Sequence, residues 1–430
     1  MTNTSKELVM GLRNCTLYSI FVRNHGGTFR AVARDIPRIR ELGVDAVWLL
    51  PIYPIGKEKR KGSLGSPYAI SDYRAVNPEY GTMDDFLYLA DVVHQNGMKL
   101  LVDVVYNHTS PDSVLAKTHP EWFYHKPDGS FGNRIGDWTD IIDLDYSKKD
   151  LWDYQIETLK QWAAVVDGFR CDVAPLVPLG FWLKAREEVS KVRPDCIWLA
   201  ESVDFGFVRY NRLRGMTALS DSELYRAFDI CYDYDVYDDF LAYVQDRAPL
   251  SAYTEALLRQ EAIYPADYIK LRFLENHDRT RAAALFPDPV IRRNWLAWCF
   301  FQKGIPLLYS GQEWAPTHTP TLFDSDPVDF SGTPELSGFI KKLVQMKKDP
   351  LFSDGFYTIE PHEEDILTAS WQLGDRIAIG IFNLKGKVSS VSVPLEDGAY
   401  RNLLGSEPVA IESGSILSEG EPVILLNSEI

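Results

Sequence analysis

Arg170 and Asp172 stand two residues apart at the end of a short apolar stretch, 166–173. Side chains alternate between the two faces of a β-strand, so both charged groups are expected on one side. An arginine in that place holds a carboxylate in position and favours its ionised form. A carboxylate held in this way can act as a nucleophile. A structural ion pair at a strand end is the alternative interpretation.

Three other apolar stretches are also followed by charged or polar side chains. Polar side chains at such positions are costly to desolvate unless they are paired or used. If the strand ends meet, Asp172, Glu201 and Asp278 bring three carboxylates to one place. The polar residues at these strand ends are Asp103, Asn107, His108, Glu201, His277 and Asp278.

Three carboxylates around one cavity suit the cleavage of a glycosidic bond. One attacks the sugar carbon, and a second, kept protonated by burial and like-charged neighbours, protonates the leaving oxygen. A third stabilises the positive charge that develops. A metal-dependent hydrolase is an alternative enzyme class, but it has no need for Glu201. Its ligands would be Asp103, His108, His277 and Asp278.

The elements that must position these residues follow a repeating pattern of apolar strand, loop and amphipathic helix. In 28–42, for example, apolar residues recur at helical spacing, and Gly43 follows as a helix terminator. Eight strands alternating with helices predict an α/β fold, the (β/α)₈ or TIM barrel, whose active site lies at the carboxyl ends of the strands. The predicted strands are 15–22, 44–50, 98–106, 166–173, 196–200, 228–232, 268–274 and 305–309.

Two segments interrupt this pattern. Residues 108–147 are aromatic and rich in turn formers, which is typical of a functional insertion, and we predict a small inserted subdomain there. In 351–430, short alternating runs are separated by glycine-containing turns, which predicts a C-terminal antiparallel β-sandwich domain without helices. The catalytic barrel is then expected over 1–107 and 148–350.

Composition narrows the class of protein. The chain has 430 residues, 45% hydrophobic and 25% charged, as in ordinary globular proteins. Its formal net charge of -16 argues against nucleic acid or an anionic membrane as a partner. The polar start of the chain predicts no signal peptide, and no apolar stretch is long enough to span a membrane. Five scattered cysteines indicate reduced thiols, so we expect a cytoplasmic protein.

Four segments resemble the signature regions of the α-amylase family of glycoside hydrolases. The family pattern is D-x-x-x-N-H after the third strand, G-F-R-x-D at the fourth, Glu after the fifth and N-H-D at the seventh. All four occur here in order, at 103–108, 168–172, 201 and 276–278. Segments 68–73, 143–145 and 304–313 also resemble family regions, so the resemblance covers the whole barrel.

The resemblance implies a role for each matching residue. Asp172 would be the nucleophile, Glu201 the general acid/base and Asp278 the transition-state stabiliser. The reaction would retain the α-configuration through a covalent glycosyl-enzyme. The residues expected to bind the sugar or to position the catalytic groups are Tyr68, Asp103, His108, Arg170 and His277.

Asn107 resembles a position that is a calcium ligand in many members of the family. Those members often carry Lys-His three and four residues beyond the nucleophile, where the histidine helps to bind calcium. This chain has Pro175 and Leu176 there. The expected mechanism requires no cofactor, and a structural calcium ion at Asn107 stays an open alternative.

The sequence therefore predicts an α-amylase-type glycosidase that cleaves α-1,4-glucosidic bonds in maltooligosaccharides or related α-glucans. Within the family, an exo-acting α-glucosidase, an α-1,6-glucosidase and a glucosyl-transferring enzyme are alternatives. A barrel that only binds sugar is the non-enzymatic alternative, and it would not need three carboxylates and an arginine. The sequence makes no prediction of the oligomeric state.

Overall fold

The structure, a computed structural model, describes residues 11–136, 138–361 and 365–427. In chain order, the strands up to residue 309 are β1 (Leu17–Ile20), β2 (Ala46–Leu49), β3 (Lys99–Val104), β4 (His108–Thr109), β5 (Ile142–Asp143), β6 (Gly168–Cys171), β7 (Ile197–Ala200), β8 (Ile230–Tyr232), β9 (Lys270–Arg272) and β10 (Ile305–Tyr309). Eight of them close into a parallel barrel in the order β1-β10-β9-β8-β7-β6-β3-β2, which confirms the predicted fold.

Helices surround the barrel, and several of them begin at a residue whose side chain caps the first turn. The side chain of Thr28 accepts a hydrogen bond from Ala31 N–H, and Thr82 and Asp85 form a reciprocal capping box. The helices are α1 (Phe29–Glu41), α2 (Met83–Gln95), α3 (Val114–Thr118), α4 (Lys149–Ala163), α5 (Leu179–Ser190), α6 (Phe205–Leu213), α7 (Asp221–Leu224), α8 (Tyr237–Val244), α9 (Leu250–Ile263), α10 (Ala282–Leu285), α11 (Pro289–Phe301), α12 (Ser337–Lys347) and α13 (Leu351–Asp354).

The pairing of β3, β6 and β7 sets the positions of the site residues. Asp103 is the register partner of Arg170 across β3 and β6. A Cβ on Gly168 would lie 2.6 Å from the carbonyl oxygen of Ile197, so glycine permits the close approach of β6 and β7. Backbone hydrogen bonds continue past the strand ends, because Asp172 N–H donates to Val104 O and Glu201 N–H to Cys171 O.

The segment after β3 leaves the barrel. In it, β4 pairs antiparallel with β5, with His108 opposite Asp143, and α3 and a short 3₁₀ helix, Pro120–Trp122, lie between them. The predicted bounds of this insertion and of the other domains stay predictions.

The C-terminal part is built from antiparallel strands. The strands are β11 (Phe356–Pro361), β12 (Ile366–Leu373), β13 (Arg376–Asn383), β14 (Ser389–Ser392), β15 (Gly398–Arg401), β16 (Pro408–Ile411), β17 (Ser415–Ser418) and β18 (Val423–Leu426). They form a sheet β11-β12-β13-β18 and the pairs β14-β17 and β15-β16. The sheet contacts the barrel where Trp371 Nε1 donates to Phe301 O, 2.7 Å.

Two expectations about helices differ from the structure. No helix was expected after residue 351, but α13 begins there, with Leu351 and Phe352 buried. The four helices α6 to α9 were not predicted. In α6, Phe205 and Leu213 are 75% and 73% exposed, so its apolar residues do not form the core-facing stripe that marks a helix in sequence. In the described ranges, no helix is both long and apolar enough to cross a membrane.

Candidate active site

The buried guanidinium of Arg170 organises the mouth of the barrel. Its Nη1 donates to Asp103 Oδ1 and to Asp172 Oδ1, each at 2.9 Å. Its Nη2 lies 3.0 Å from Glu201 Oε1. Arg170 and Asp172 therefore do point to one side, as two residues at i and i+2 of a strand should. One cation is shared by three carboxylates, which fixes all three in place.

Glu201 is held from its other oxygen by a strained turn. Val173 N–H donates to Glu201 Oε2 at 2.7 Å. Val173 has φ 34° and ψ 46°, in the left-handed region that a β-branched residue rarely adopts. Strain of this kind persists where the surrounding structure enforces it, often at functional sites. Here the turn directs a backbone donor at the expected acid/base.

The carboxylates have different proton affinities. Burial raises the pKa of Glu201 to about 7 and that of Asp172 to about 6, although Arg170 opposes both shifts. The expected effect of Arg170 on Asp172 is therefore present, but burial outweighs it. Burial would also raise the pKa of Asp278, yet the neighbouring His277 and Arg170 lower it to about 2. The side chain of Asp278 is 41% exposed.

Tyr68 and the two histidines surround these groups. His277 Nε2 lies 2.7 Å from the Tyr68 hydroxyl and 3.1 Å from Asp278 Oδ2. The Tyr68 ring stacks on His277, with 5.7 Å between the ring centroids, and its hydroxyl also donates to Asp103 Oδ2 at 3.3 Å. Burial lowers the pKa of His108 to about 4, so its imidazole is neutral near pH 7 and can both donate and accept.

These groups meet at one cavity of about 430 Å³. Asp103, Arg170 and His277 are not among the residues that line it, but each contacts side chains that do. A larger cavity, about 670 Å³, lies between α6 and α9 and contains none of the predicted catalytic residues, so we place the site at the smaller one. The smaller cavity is lined by Lys61, Ser66, Tyr68, His108, Trp138, Asp140, Ile141, Asp172, Val173, Glu201, Tyr234, Asp278, Arg279, Leu322 and Phe323.

Sequence reasoning did not identify three charged residues of this lining, Lys61, Asp140 and Arg279. Arg279 directly follows the N-H-D segment and lies over the rings of Tyr234 and Tyr237, with 4.5 and 4.3 Å to the ring centroids. Its position beside Asp278 was the one signal that could have revealed it. Lys61 and Asp140 belong to separate loops, and nothing in the sequence indicates that they meet.

The surroundings of Asn107 do not fit a calcium ion. Asp143 offers one buried oxygen without a hydrogen-bond partner, but its other oxygen accepts from Arg134 N–H and lies 3.6 Å from the Arg134 guanidinium. Calcium takes six to eight oxygen ligands, and a guanidinium next to the carboxylate competes with it. In the part of the chain that the structure describes, no three His, Cys, Asp or Glu side chains are grouped to hold a metal.

Comparison with known proteins identifies the family of this chain. Residues 12–133 match the family model "Alpha amylase, catalytic domain", and 358–425 match "Bacterial Alpha amylase C-terminal domain". The crystal structure of an alpha-amylase from Lactobacillus plantarum is 48% identical, with 97% of this chain and 99% of that chain covered and a TM-score of 0.95. This chain belongs to the α-amylase family.

The names of other members of the α-amylase family state different activities. The noncanonic maltogenic alpha-amylase AmyB from Thermotoga neapolitana is 34% identical, covers 96% of this chain and 99% of its own, and has a TM-score of 0.88. The alpha-1,4-glucan:maltose-1-phosphate maltosyltransferase of Rhodospirillum rubrum is 28% identical over 93% of this chain. The chain spans only 58% of the length of that relative.

Proposed function

We propose that this protein is a retaining α-glycoside hydrolase that cleaves α-1,4-glucosidic bonds in maltooligosaccharides or related α-glucans. The observation that carries the proposal is the shared contact of Asp172 and Glu201 with one guanidinium at the edge of one cavity. Contact with the two terminal nitrogens of one guanidinium limits how far apart these carboxyl groups can lie, and retaining enzymes hold theirs about 5–5.5 Å apart. Inverting enzymes need a wider gap for a water molecule.

In the first step, Asp172 attacks the anomeric carbon while Glu201 protonates the departing glycosidic oxygen. The pKa of Glu201, raised to about 7 by burial, keeps much of it protonated near neutral pH. Asp172, with a pKa of about 6, is mostly ionised at the same pH. The two groups are thus in the protonation states that this step needs.

In the second step, a water molecule takes the place of the leaving group. Glu201 has given up its proton and acts as the base that deprotonates this water, which then displaces Asp172 from the anomeric carbon. Two inversions at that carbon give a product of the original α-configuration.

Charge stabilisation falls to Asp278. Its pKa of about 2 leaves it ionised throughout the working pH range, so it can face the positive charge that develops on the sugar ring. The neutral His108 is placed to hydrogen-bond sugar hydroxyls, and the Tyr68 ring offers an apolar surface for the sugar. His277, whose Nε2 contacts both Tyr68 and Asp278, positions these two side chains.

The test is to follow hydrolysis of maltoheptaose, panose and isomaltose, with proton NMR to identify the anomer released first. We expect α-anomeric products from maltoheptaose and almost none with the Glu201→Gln variant. A β-anomer as first product would contradict retention. Equal turnover by the variant would contradict the acid/base role. Preferred cleavage of isomaltose would favour the α-1,6 alternative.

Transfer to a sugar acceptor is the second candidate. Several of the curated relatives are named maltosyltransferases, and the covalent intermediate can be intercepted by a sugar hydroxyl instead of water. Incubation with maltoheptaose and excess maltose tests this, because transfer gives oligosaccharides longer than the donor. If all products are shorter than maltoheptaose, the result supports hydrolysis.

We also propose that the protein works in the cytoplasm. All five cysteines are free, and burial raises the pKa of Cys15 to about 12, so it has little thiolate character. Unreactive thiols suit the reducing cytoplasm. Fractionation of the producing cells, with a cytoplasmic marker enzyme as control, tests this, and recovery from the medium would contradict it.

A further inference from the structure

The order of the barrel strands places Glu201 and the loops next to β1 on opposite sides of the cavity. In the order β1-β10-β9-β8-β7-β6-β3-β2, β7 stands four places from β1 in either direction, so the two are opposite. Glu201 follows β7 directly. The loops after β2 and β10, the neighbours of β1, supply the cavity residues Lys61, Leu322 and Phe323. The insertion after β3 supplies Trp138 and Asp140 next to them.

These loops are joined by an ion pair at the edge of the cavity. Lys61 Nζ lies 2.9 Å from Asp140 Oδ1, and both side chains line the cavity. The Asp140 side chain is only 6% exposed and that of Lys61 35% exposed. A half-buried pair of this kind is screened less than a pair on the surface. It connects the loop after β2 to the insertion after β3.

Hydrogen bonds join the loop after β2 to the loop after β10. Leu64 N–H and Gly65 N–H both donate to Phe323 O, at 3.0 and 3.2 Å. Ser63 N–H and its hydroxyl both donate to Asp324 Oδ1 at 2.7 Å. The three segments 61–66, 138–141 and 321–324 thus form one connected barrier, which we call the β1-side wall.

The chemistry assigns a direction to the sugar chain. Glu201 protonates the oxygen of the leaving group, so the leaving group lies on the β7 side of the cavity. The sugar that stays on Asp172 extends the other way, toward the β1-side wall. In an α-1,4-glucan this part runs toward the non-reducing end, so the wall limits how many sugar units can precede the cleaved bond.

We propose that the enzyme is exo-acting: it binds the non-reducing end of an α-1,4-glucan against the β1-side wall and releases glucose or maltose. The Lys61–Asp140 ion pair is the specificity-determining contact that keeps the wall closed. This inference rests on the proposed glycosidase function and adds the mode of attack. A cavity of about 430 Å³ is in the range of sites for small ligands.

The experiment compares two p-nitrophenyl α-maltoheptaosides, one with a free non-reducing end and one with that end blocked by a 4,6-O-ethylidene group. Early products are separated by chromatography and identified by mass. We expect glucose or maltose first from the free substrate, and cleavage of the blocked one slower by on the order of 100-fold, because a misplaced sugar chain loses the reactive geometry.

Variants then test the ion pair itself. Lys61→Met and Asp140→Asn should each raise the relative rate on the blocked substrate by roughly tenfold, an effect between those of losing an exposed and a buried ion pair, because Asp140 is buried and Lys61 is partly exposed. The charge-reversed double variant Lys61→Asp/Asp140→Lys should restore discrimination. The matched control is Lys184→Met, which breaks an exposed pair with Asp153, 2.7 Å, between α4 and α5.

The outcomes are distinct. If the wild-type enzyme cleaves both substrates at similar rates and releases longer oligosaccharides first, the exo mode is wrong and the glycosidase function stands. If it cleaves neither, the proposed function itself is wrong. If the wild type discriminates but Lys61→Met and Asp140→Asn behave like Lys184→Met, the ion pair is not the specificity-determining contact.

Discussion

The barrel contains two clusters of mostly buried charged side chains that differ in their ratio of acids to cations. In the mouth cluster, Arg170 is the single arginine among four carboxylates. In the β9 cluster, Lys270 pairs with Asp221 and Asp235, and Arg272 pairs with Asp233 at 2.6 Å. The mouth cluster consists of Asp103, Arg170, Asp172, Glu201 and Asp278, and the β9 cluster of Asp221, Asp233, Asp235, Lys270 and Arg272.

The comparison shows that a raised pKa does not by itself identify a catalytic acid. Burial raises the pKa of Asp221 to about 6, against the effect of Lys270, much as it does for Asp172. What differs is that three acids of the mouth cluster, Asp103, Asp172 and Glu201, share one cation. An acid whose charge is only partly compensated can gain and lose a proton near neutral pH, which suits acid/base work. The β9 cluster has two cations for its three carboxylates, which suits a structural role.

The largest expected effect separates the clusters by activity. Glu201→Gln should lower kcat/KM by about 10²–10⁴-fold, the usual contribution of a general acid/base. Asp221→Asn makes the same isosteric change in the β9 cluster and should leave kcat/KM of the folded enzyme near the wild-type value. Both are measured by sugar release from maltoheptaose, with circular dichroism to confirm folding. An equal loss in both variants would show that the two clusters are not functionally distinct.

The second prediction separates them by stability. Lys270→Met leaves Asp221 and Asp235 buried without their cation, and breaking such a pair costs about 3–5 kcal/mol of unfolding free energy. Denaturant unfolding measures it, with Lys184→Met as the control, because an exposed pair contributes about 0–1 kcal/mol. A loss no larger than in the control would mean that the β9 cluster is not stabilised by its cation.

The pH dependence of kcat/KM tests the roles assigned to Asp172 and Glu201 in the mouth cluster. Asp172 must be ionised, so kcat/KM should rise through about pH 6, and Glu201 must be protonated, so it should fall above about pH 7. Because the two groups interact, the limbs report apparent pKa values of the pair. Glu201→Gln should lose the alkaline limb and keep the acidic one. A flat profile across both values would contradict the assignment of the two roles.

The sequence predicted the barrel and the set of site residues because both leave local signals. Strand and helix periods differ, and the polar residues follow directly on apolar strands. The β9 cluster and the β1-side wall left no such signal. Lys270 and Arg272 lie inside a stretch whose pattern predicts an ordinary strand. Their partners are distant in sequence, with Asp221 at the start of α7 and Asp233 and Asp235 just after β8. The Lys61–Asp140 pair likewise depends on how two loops fold over the barrel.

Within the mouth cluster, the pH dependence of stability should differ between two acids. The pKa of Glu201 is about 7 in the folded protein and about 4.3 in an unfolded chain, so the folded state holds this proton more tightly. Wild-type stability should therefore fall as the pH rises from about 4.3 to about 7. Glu201→Gln, which cannot ionise, should melt at a higher temperature than the wild type above pH 7, and the difference should disappear in acid.

Asp278→Asn is the matched variant, and its melting temperature should change in the opposite direction. The folded pKa of Asp278, about 2, lies below its unfolded value of about 3.9, so its ionised form stabilises the fold above pH 3.9, and this contribution is lost as the pH falls through about 2. Removing it should lower the melting temperature at neutral pH, by a small amount because the side chain is 41% exposed. If the melting temperature shifts in the same direction in both variants, folding does not raise the pKa of Glu201 and lower that of Asp278. The division of roles between these two acids would then lose its physical basis.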